Sequence, residues 1–124
     1  MRPTFYEFTE FVSSITTITS KLIQDSFNLD NLYVSKKPDG SLLTNSDTGV
    51  EAIIREKIEI TFPEHGCIGE EMQDININQK YLWIVDPIDG TFNFVKSVPF
   101  FGTLIGLLEN KIPTFGSLRL PMVE

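Results

Sequence analysis

Apolar residues recur at Phe5, Phe8, Val12, Ile15, Ile18 and Leu22, in steps of three and four. That spacing lines one face of an amphipathic helix and predicts it over residues 3–27, in spite of many β-branched neighbours, with Pro3 suited to the first turn. The polar face carries Glu7 and Glu10 against a single Lys, so the stripe reads as core packing rather than as a membrane-surface or partner helix. Asn28-Leu29-Asp30-Asn31 is expected to end it. A second helix is predicted over residues 45–61, with Val50, Ile53, Ile54 and Ile58 inward. Thr44 stands three residues before Asp47, the spacing of a capping box that satisfies free N–H groups at a helix start. Taken alone, Asp47 reads as a cap.

From Gly66 onward the period changes. Residues 66–69 and 80–85 are short apolar runs, and residues 102–108 and 114–120 flank Glu109-Asn110-Lys111, a hairpin-like turn. Residues 74–79, rich in Asn, read as a loop. Two helices followed by several strands predict an α+β fold, a two-layer sandwich of two amphipathic helices on a mainly antiparallel sheet.

Composition narrows the function. Seventeen acidic against ten basic residues give a net charge of −7, which argues against a nucleic-acid partner, because phosphate backbones are held by clustered Lys and Arg. A single Cys rules out an intramolecular disulfide and suits a reducing compartment. The chain has no apolar run of about 18 residues and no basic-then-apolar amino terminus, so a cytoplasmic protein without a membrane partner is expected. With 124 residues and 41% hydrophobic content the chain is sized for one packed domain over residues 1–124.

The candidate chemistry lies in Asp86-Pro87-Ile88-Asp89-Gly90-Thr91, directly after the apolar run Tyr81-Leu82-Trp83-Ile84-Val85. Pro and Gly bend the chain so that two carboxylates and the intervening carbonyl can converge on one point. Oxygen donors of this kind suit Mg²⁺, Mn²⁺ or Ca²⁺, whereas one His65 and one Cys67 cannot build the cage that zinc prefers. Gly69-Glu70-Glu71 adds further carboxylate at the end of the run Gly66-Cys67-Ile68. By itself Asp-Pro-x-Asp-Gly is also a respectable turn sequence. Cys67 reads as a buried thiol rather than a nucleophile, and His65 as a loop residue. Trp83, Phe92, Phe94, Phe100 and Phe101 read as core, because too few basic residues interleave with them to hold a nucleic-acid strand.

Three ordered blocks together resemble the inositol monophosphatase superfamily of Mg²⁺-dependent phosphomonoesterases. Lys36-Lys37-Pro38-Asp39-Gly40-Ser41-Leu42-Leu43-Thr44-Asn45-Ser46-Asp47 is similar to its Lys and Thr-x-x-Asp block, Phe62 to Glu71 to its Gly-Glu-Glu block, and Asp86 to Phe94 to its metal loop. The Asp-Gly-Ser before Thr44 and the stretch Phe101-Gly102-Thr103-Leu104-Ile105-Gly106-Leu107-Leu108 most resemble the histidinol-phosphate phosphatase type.

The resemblance implies the amino-terminal domain of the inositol monophosphatase / fructose-1,6-bisphosphatase fold. It also implies hydrolysis of a small phosphate monoester, of the inositol monophosphate or histidinol phosphate type, with Mg²⁺ as cofactor and Mn²⁺ as the second choice. Under it, Glu70, Asp86 and the Ile88 carbonyl hold the metal that lowers the pKa of the attacking water, and Asp86 with Asp89 holds a second metal at the leaving oxygen. Glu70 and Thr91 orient the water, Asp47 orients Thr91, and Gly90 and Thr91 give backbone N–H groups to the phosphate. Glu71 and either Lys36 or Lys37 stand just outside. Members of the superfamily run on past this length and carry a later Asp in a Trp-Asp block that has no counterpart here. The chain is therefore expected to match an amino-terminal half, and to associate with copies of itself or with a separately encoded carboxy-terminal half. The competing reading is a shortened metal-binding or interaction domain with weak or no turnover.

Overall fold

The computed structural model describes residues 2–27 and 33–123. Helix α1 (Phe5–Ser26) begins at a full capping box: the Thr4 hydroxyl accepts the Glu7 N–H, and the Glu7 carboxylate accepts the Thr4 N–H, both at 3.0 Å. Pro3 therefore lies ahead of the cap, buried, and not in the first turn as its residue type suggests. Phe8, Val12 and Ile15 face the core as the spacing predicts and Leu22 packs against it half-buried, but Phe5 and Ile18 are exposed and Ile23, outside the predicted stripe, is buried. Thr16, Thr19 and Ser20 share the buried face instead. The Thr16 hydroxyl donates to the Val12 carbonyl at 2.8 Å, which satisfies it inside the core. The segment 28–31, expected to end this helix, lies outside the described residues.

Strands β1 (Val34–Lys36) and β2 (Leu42–Thr44) pair as an antiparallel hairpin that the hydrophobic pattern does not mark. β2 runs directly into α2 (Asn45–Thr61), whose bounds are those predicted, and whose start is the Thr44/Asp47 capping box. Strands β3 (Gly66–Gly69) and β4 (Tyr81–Asp89), the short helix α3 (Thr91–Val95), and strands β5 (Gly102–Glu109) and β6 (Ile112–Arg119) follow. They form a four-stranded sheet in the order β3-β4-β5-β6, parallel between β3 and β4 and antiparallel at the other two pairings. The β5–β6 hairpin turns through Asn110 and Lys111 at φ 51° and 68°, the twin positive angles that match the twist of adjoining strands.

Both long helices pack on one face of this sheet. Trp83 is fully buried at the centre, stacked on Phe8 at 5.7 Å and packed against Phe11 and Phe62 at 5.2 and 5.6 Å between ring centroids. His65 is part of this cluster rather than a loop ornament: its ring stacks on Phe62, and its Nδ1 accepts the indole N–H of Trp83 at 3.0 Å. An indole N–H inside a core needs such an acceptor, and His65 is the side chain within reach. Phe94 and Phe101 are buried edge to face, but Phe92 and Phe100 stay exposed, contrary to the core reading of those two.

The opposite face of the sheet is different. The register aligns Ile84 with Gly106, Asp86 with Leu104, and Leu104 with Leu118, which sets these residues on the side away from α1 and α2. Ile84, Leu104 and Leu118 are exposed there, and among the described residues no element covers them. Among the described residues no helix is long and apolar enough to cross a membrane.

Candidate functional site

The parallel pairing of β3 with β4 is what assembles the acidic residues. Parallel strands end on the same side, so the register Gly69↔Val85 delivers Glu70 and Asp86 next to each other, and the Glu70 N–H donates to the Val85 carbonyl at 3.0 Å. β4 does not stop at Val85 as its apolar run suggests. It continues to Asp89 through an irregularity in its pairing with β5 between Asp86 and Asp89, where the Thr103 hydroxyl donates to the Pro87 carbonyl at 2.8 Å. Gly90 then turns the chain into α3 at φ 91°, where a side chain would be strained and a Cβ would meet the Phe100 carbonyl oxygen at 3.1 Å.

These turns line a cleft of about 320 Å³ with Glu70, Glu71, Asp86, Ile88, Asp89, Gly90 and Thr91, faced by Lys37, Ser41 and Phe92 from elsewhere in the chain. The Lys37 ammonium lies 2.5 Å from Glu71 and 3.4 Å from Glu70. Burial disfavours its charge, yet the two carboxylates outweigh burial and raise its pKa. Lys36, the other candidate, is exposed and does not line the cleft, since neighbouring residues in extended backbone point to opposite sides. Glu71 is raised by burial, against the pull of Lys37, and its Oε2 is buried without a hydrogen-bond partner.

Asp86 is pushed up to about 6, first by burial and then by the surrounding carboxylates of Glu70, Asp89, Glu71 and Asp47. Among the described residues, neither Asp86 nor Asp89 has a cationic partner for its carboxylate. Crowded anions without a counter-charge are what a bound cation relieves. Among the described residues no group of three or more His, Cys, Asp or Glu side chains is placed to hold a metal ion. A small hard cation does not need one, because it is held by one or two carboxylates and keeps several waters. The donor set of carboxylates plus the Ile88 carbonyl fits Mg²⁺ or Mn²⁺.

Asp47 lies beneath the cleft, fully buried. Its Oδ2 accepts the N–H and the hydroxyl of Thr44, and its Oδ1 lies 3.0 Å from the Thr91 hydroxyl, so it serves as helix cap and reaches Thr91 at once. The Thr91 oxygen is also 3.0 Å from the Ile88 carbonyl. A hydroxyl has one proton to give, so only one of these acceptors receives it at a time. Cys67 is buried with its thiol pushed up to about 11, chiefly by burial, as expected of an inert thiol. The sequence reading misses Glu51 and Arg55, which lie under the 70–73 turn; the available signal is their four-residue spacing from Asp47 along α2.

The model of the inositol monophosphatase family matches residues 6–124, and the chain belongs to that family. It is 36% identical over 104 residues to a histidinol-phosphatase of Mycobacterium tuberculosis (strain ATCC 25618 / H37Rv), an alignment covering 84% of this chain and 40% of that protein. It is 35% identical over 108 residues to inositol monophosphatase 1 of Solanum lycopersicum, covering 84% of this chain and 39% of that one. The crystal structure of the extragenic suppressor protein suhB from Bartonella henselae superposes with a TM-score of 0.87 at 26% identity, over 93% of this chain and 45% of that chain. The chain thus spans less than half the length of the relatives it matches. The family and these two named relatives are phosphatases.

Proposed function

We propose that this chain supplies the cation-holding and water-orienting side of a phosphate-monoester hydrolase, with Mg²⁺ as the ion and Mn²⁺ as its substitute. The observation that carries this reading is the meeting of Glu70, Asp86, Asp89, the Ile88 carbonyl and Thr91 around one cleft, with no cationic partner for Asp86 or Asp89 among the described residues. Glu70, Asp86 and the Ile88 carbonyl would hold the ion, and Asp86 with Asp89 would hold a second. An ion there supplies Lewis acidity toward phosphoryl oxygen and lowers the pKa of water, the two aids that slow phosphate-ester hydrolysis needs most. Thr91 donates its proton to Asp47 and turns its lone pairs outward, where with Glu70 it orients a water for attack. The first-turn N–H groups of α3, behind Gly90, have no side-chain cap and are free to meet phosphate oxygens. Lys37 fixes Glu71 and the flank of Glu70.

The substrate is a small phosphate ester, and the names of the relatives make histidinol phosphate and inositol monophosphate the first two to test. Residues 1–124 act as the amino-terminal, metal-binding domain of the enzyme, in the cytoplasm. The apolar sheet face is continuous with the site, because Asp86 borders both the cleft and the hollow between Ile84, Leu104 and Leu118. A carboxy-terminal half, or failing that a second copy of this chain, would cover that face and close the site. The open face also favours the second reading, an interaction domain that binds metal without turnover.

Phosphate release from both esters, with and without Mg²⁺, separates the two. The enzyme reading expects little release from the isolated chain and a strong rise when it is mixed with the carboxy-terminal portion of a full-length relative. No Mg²⁺-dependent release under any of these conditions favours the interaction domain.

A further inference from the structure

The Glu70 side chain is only loosely anchored in the cleft. It is 54% exposed, and among the described residues its one polar contact is the 3.4 Å approach of Lys37, so its place is set almost wholly by its backbone. That backbone is held from below. Glu51, fully buried on α2, accepts the N–H of Glu71 on Oε1 at 2.8 Å and the N–H of Met72 on Oε2 at 2.9 Å. Arg55, one turn further along α2, donates from Nε to Glu51 at 2.8 Å, from Nη1 to the Gln73 carbonyl at 2.8 Å and from Nη2 to the Met72 carbonyl at 3.0 Å. The fit leaves no spare room: a Cβ on Gly69 would stand 2.2 Å from Glu51 Oε2 and 2.6 Å from Arg55 Nη2.

We infer that Glu51 and Arg55 are positioning residues for Glu70, a buried clamp that fixes the 70–73 turn to α2. Asp47, Glu51 and Arg55 follow at four-residue intervals and so share one stripe of the helix. From that stripe Asp47 reaches Thr91 on the β4 side, while Glu51 and Arg55 reach the turn after β3. One rigid helix thereby sets the distance between the two segments that build the cleft. A buried ion pair gains little over a well-packed apolar pair in stability alone, so its use here points to geometry. Apart from the Arg55–Glu51 bond, the hydrogen bonds run to the backbone of the turn, where direction matters and a hydrophobic substitute has nothing to offer.

The test uses the 124-residue chain with Glu51→Gln, Arg55→Lys and a control, Ile54→Val, which thins the adjoining core without touching the turn. Arg55→Lys cannot reach both carbonyls but keeps the charge beside Glu51, the buried pair that Glu51→Gln breaks. Amide hydrogen exchange at Glu71 and Met72 reports the clamp directly and needs no metal. Mn²⁺ affinity, read by electron paramagnetic resonance, reports the position of Glu70 and is the only arm that rests on the proposed cation site. The expected result in Arg55→Lys is faster exchange at those two amides and Mn²⁺ binding weakened about 10- to 100-fold, as for other groups that orient a ligand. Exchange and affinity equal to wild type in Arg55→Lys, or an equal loss of affinity in Ile54→Val, would overturn the clamp. If the wild type binds no Mn²⁺, the cation site fails, and the exchange comparison still decides the clamp.

Discussion

The Thr91 hydroxyl lies 3.0 Å from the Asp47 carboxylate, a contact between residues 44 apart that ties the start of α3 to the first turn of α2. Asp47 is held in turn by Thr44, so the orientation of Thr91 descends from a helix cap. Thr91→Ala should therefore cost far more in turnover than in stability. In the chain complemented with a carboxy-terminal half, kcat should fall by about 10²–10⁴, the usual range for loss of a group assisting proton transfer. Thr91→Ser, which keeps the hydroxyl, should retain most of the activity. Near-normal turnover in the Ala variant would leave Thr91 as a structural link only.

A second expectation concerns pH. Burial among Phe62, Tyr81 and Trp83 lowers the pKa of His65, whose Nδ1 accepts the Trp83 indole proton and so must be unprotonated. The folded chain then binds fewer protons at this residue than the unfolded chain. Its contribution to stability is complete above the unfolded value of about 6.5 and is lost as the pH falls through the lower folded value. Melting temperatures of wild type and His65→Phe, compared from pH 7.5 to 5, should show a steeper acid loss in the wild type. Parallel curves would remove His65 from the account.

The open sheet face leads to a third. Leu118 is 56% exposed and Leu104 37%, beside Ile84 at 39%. Contiguous apolar surface of this kind promotes association. Sedimentation velocity of the isolated chain should show concentration-dependent oligomers, and Leu118→Lys should shift them toward monomer at little cost in folding, because the site is already half in water. A wild-type chain that stays monomeric at high concentration contradicts the exposed face as a docking surface.

Much of this was legible in the residue pattern, for a definable reason. Local signals with a mechanism survive folding: Thr44 three before Asp47 marks where α2 begins, and Glu109-Asn110-Lys111 marks the hairpin between β5 and β6. The Asp86 to Thr91 segment shows its turn and its two carboxylates, though Asp-Pro-x-Asp-Gly by itself is equally a turn sequence. What stayed hidden depends on contacts distant in sequence. Glu51 and Arg55 look like an exposed i, i+4 pair on a helix surface until the 70–73 turn is laid over them. Thr16 and Thr19 look solvent-facing, since no pattern of apolar residues can announce that α1 buries hydroxyls bonded to its own carbonyls. The choice of Lys37 over Lys36 likewise depends on where β1 places two adjacent side chains.

Asp86 carries the central claim, that the crowded acids of the cleft are a divalent-cation site. Above pH 6 its ionised carboxyl is disfavoured by burial and by its neighbours, so the metal-free fold bears a strain of about 1 kcal/mol after allowance for solvent screening. Asp86→Asn should accordingly raise the melting temperature of the metal-free chain at pH 7.5 by a few degrees. The same substitution should remove the stabilisation that Mg²⁺ confers by binding the folded state alone. The direct measurement is calorimetric titration of Mg²⁺ into both proteins at pH 7.5. Saturable heat from the wild type and none above dilution from Asp86→Asn is the expected result, whereas equal heats from the two, or no binding to either, would contradict the site.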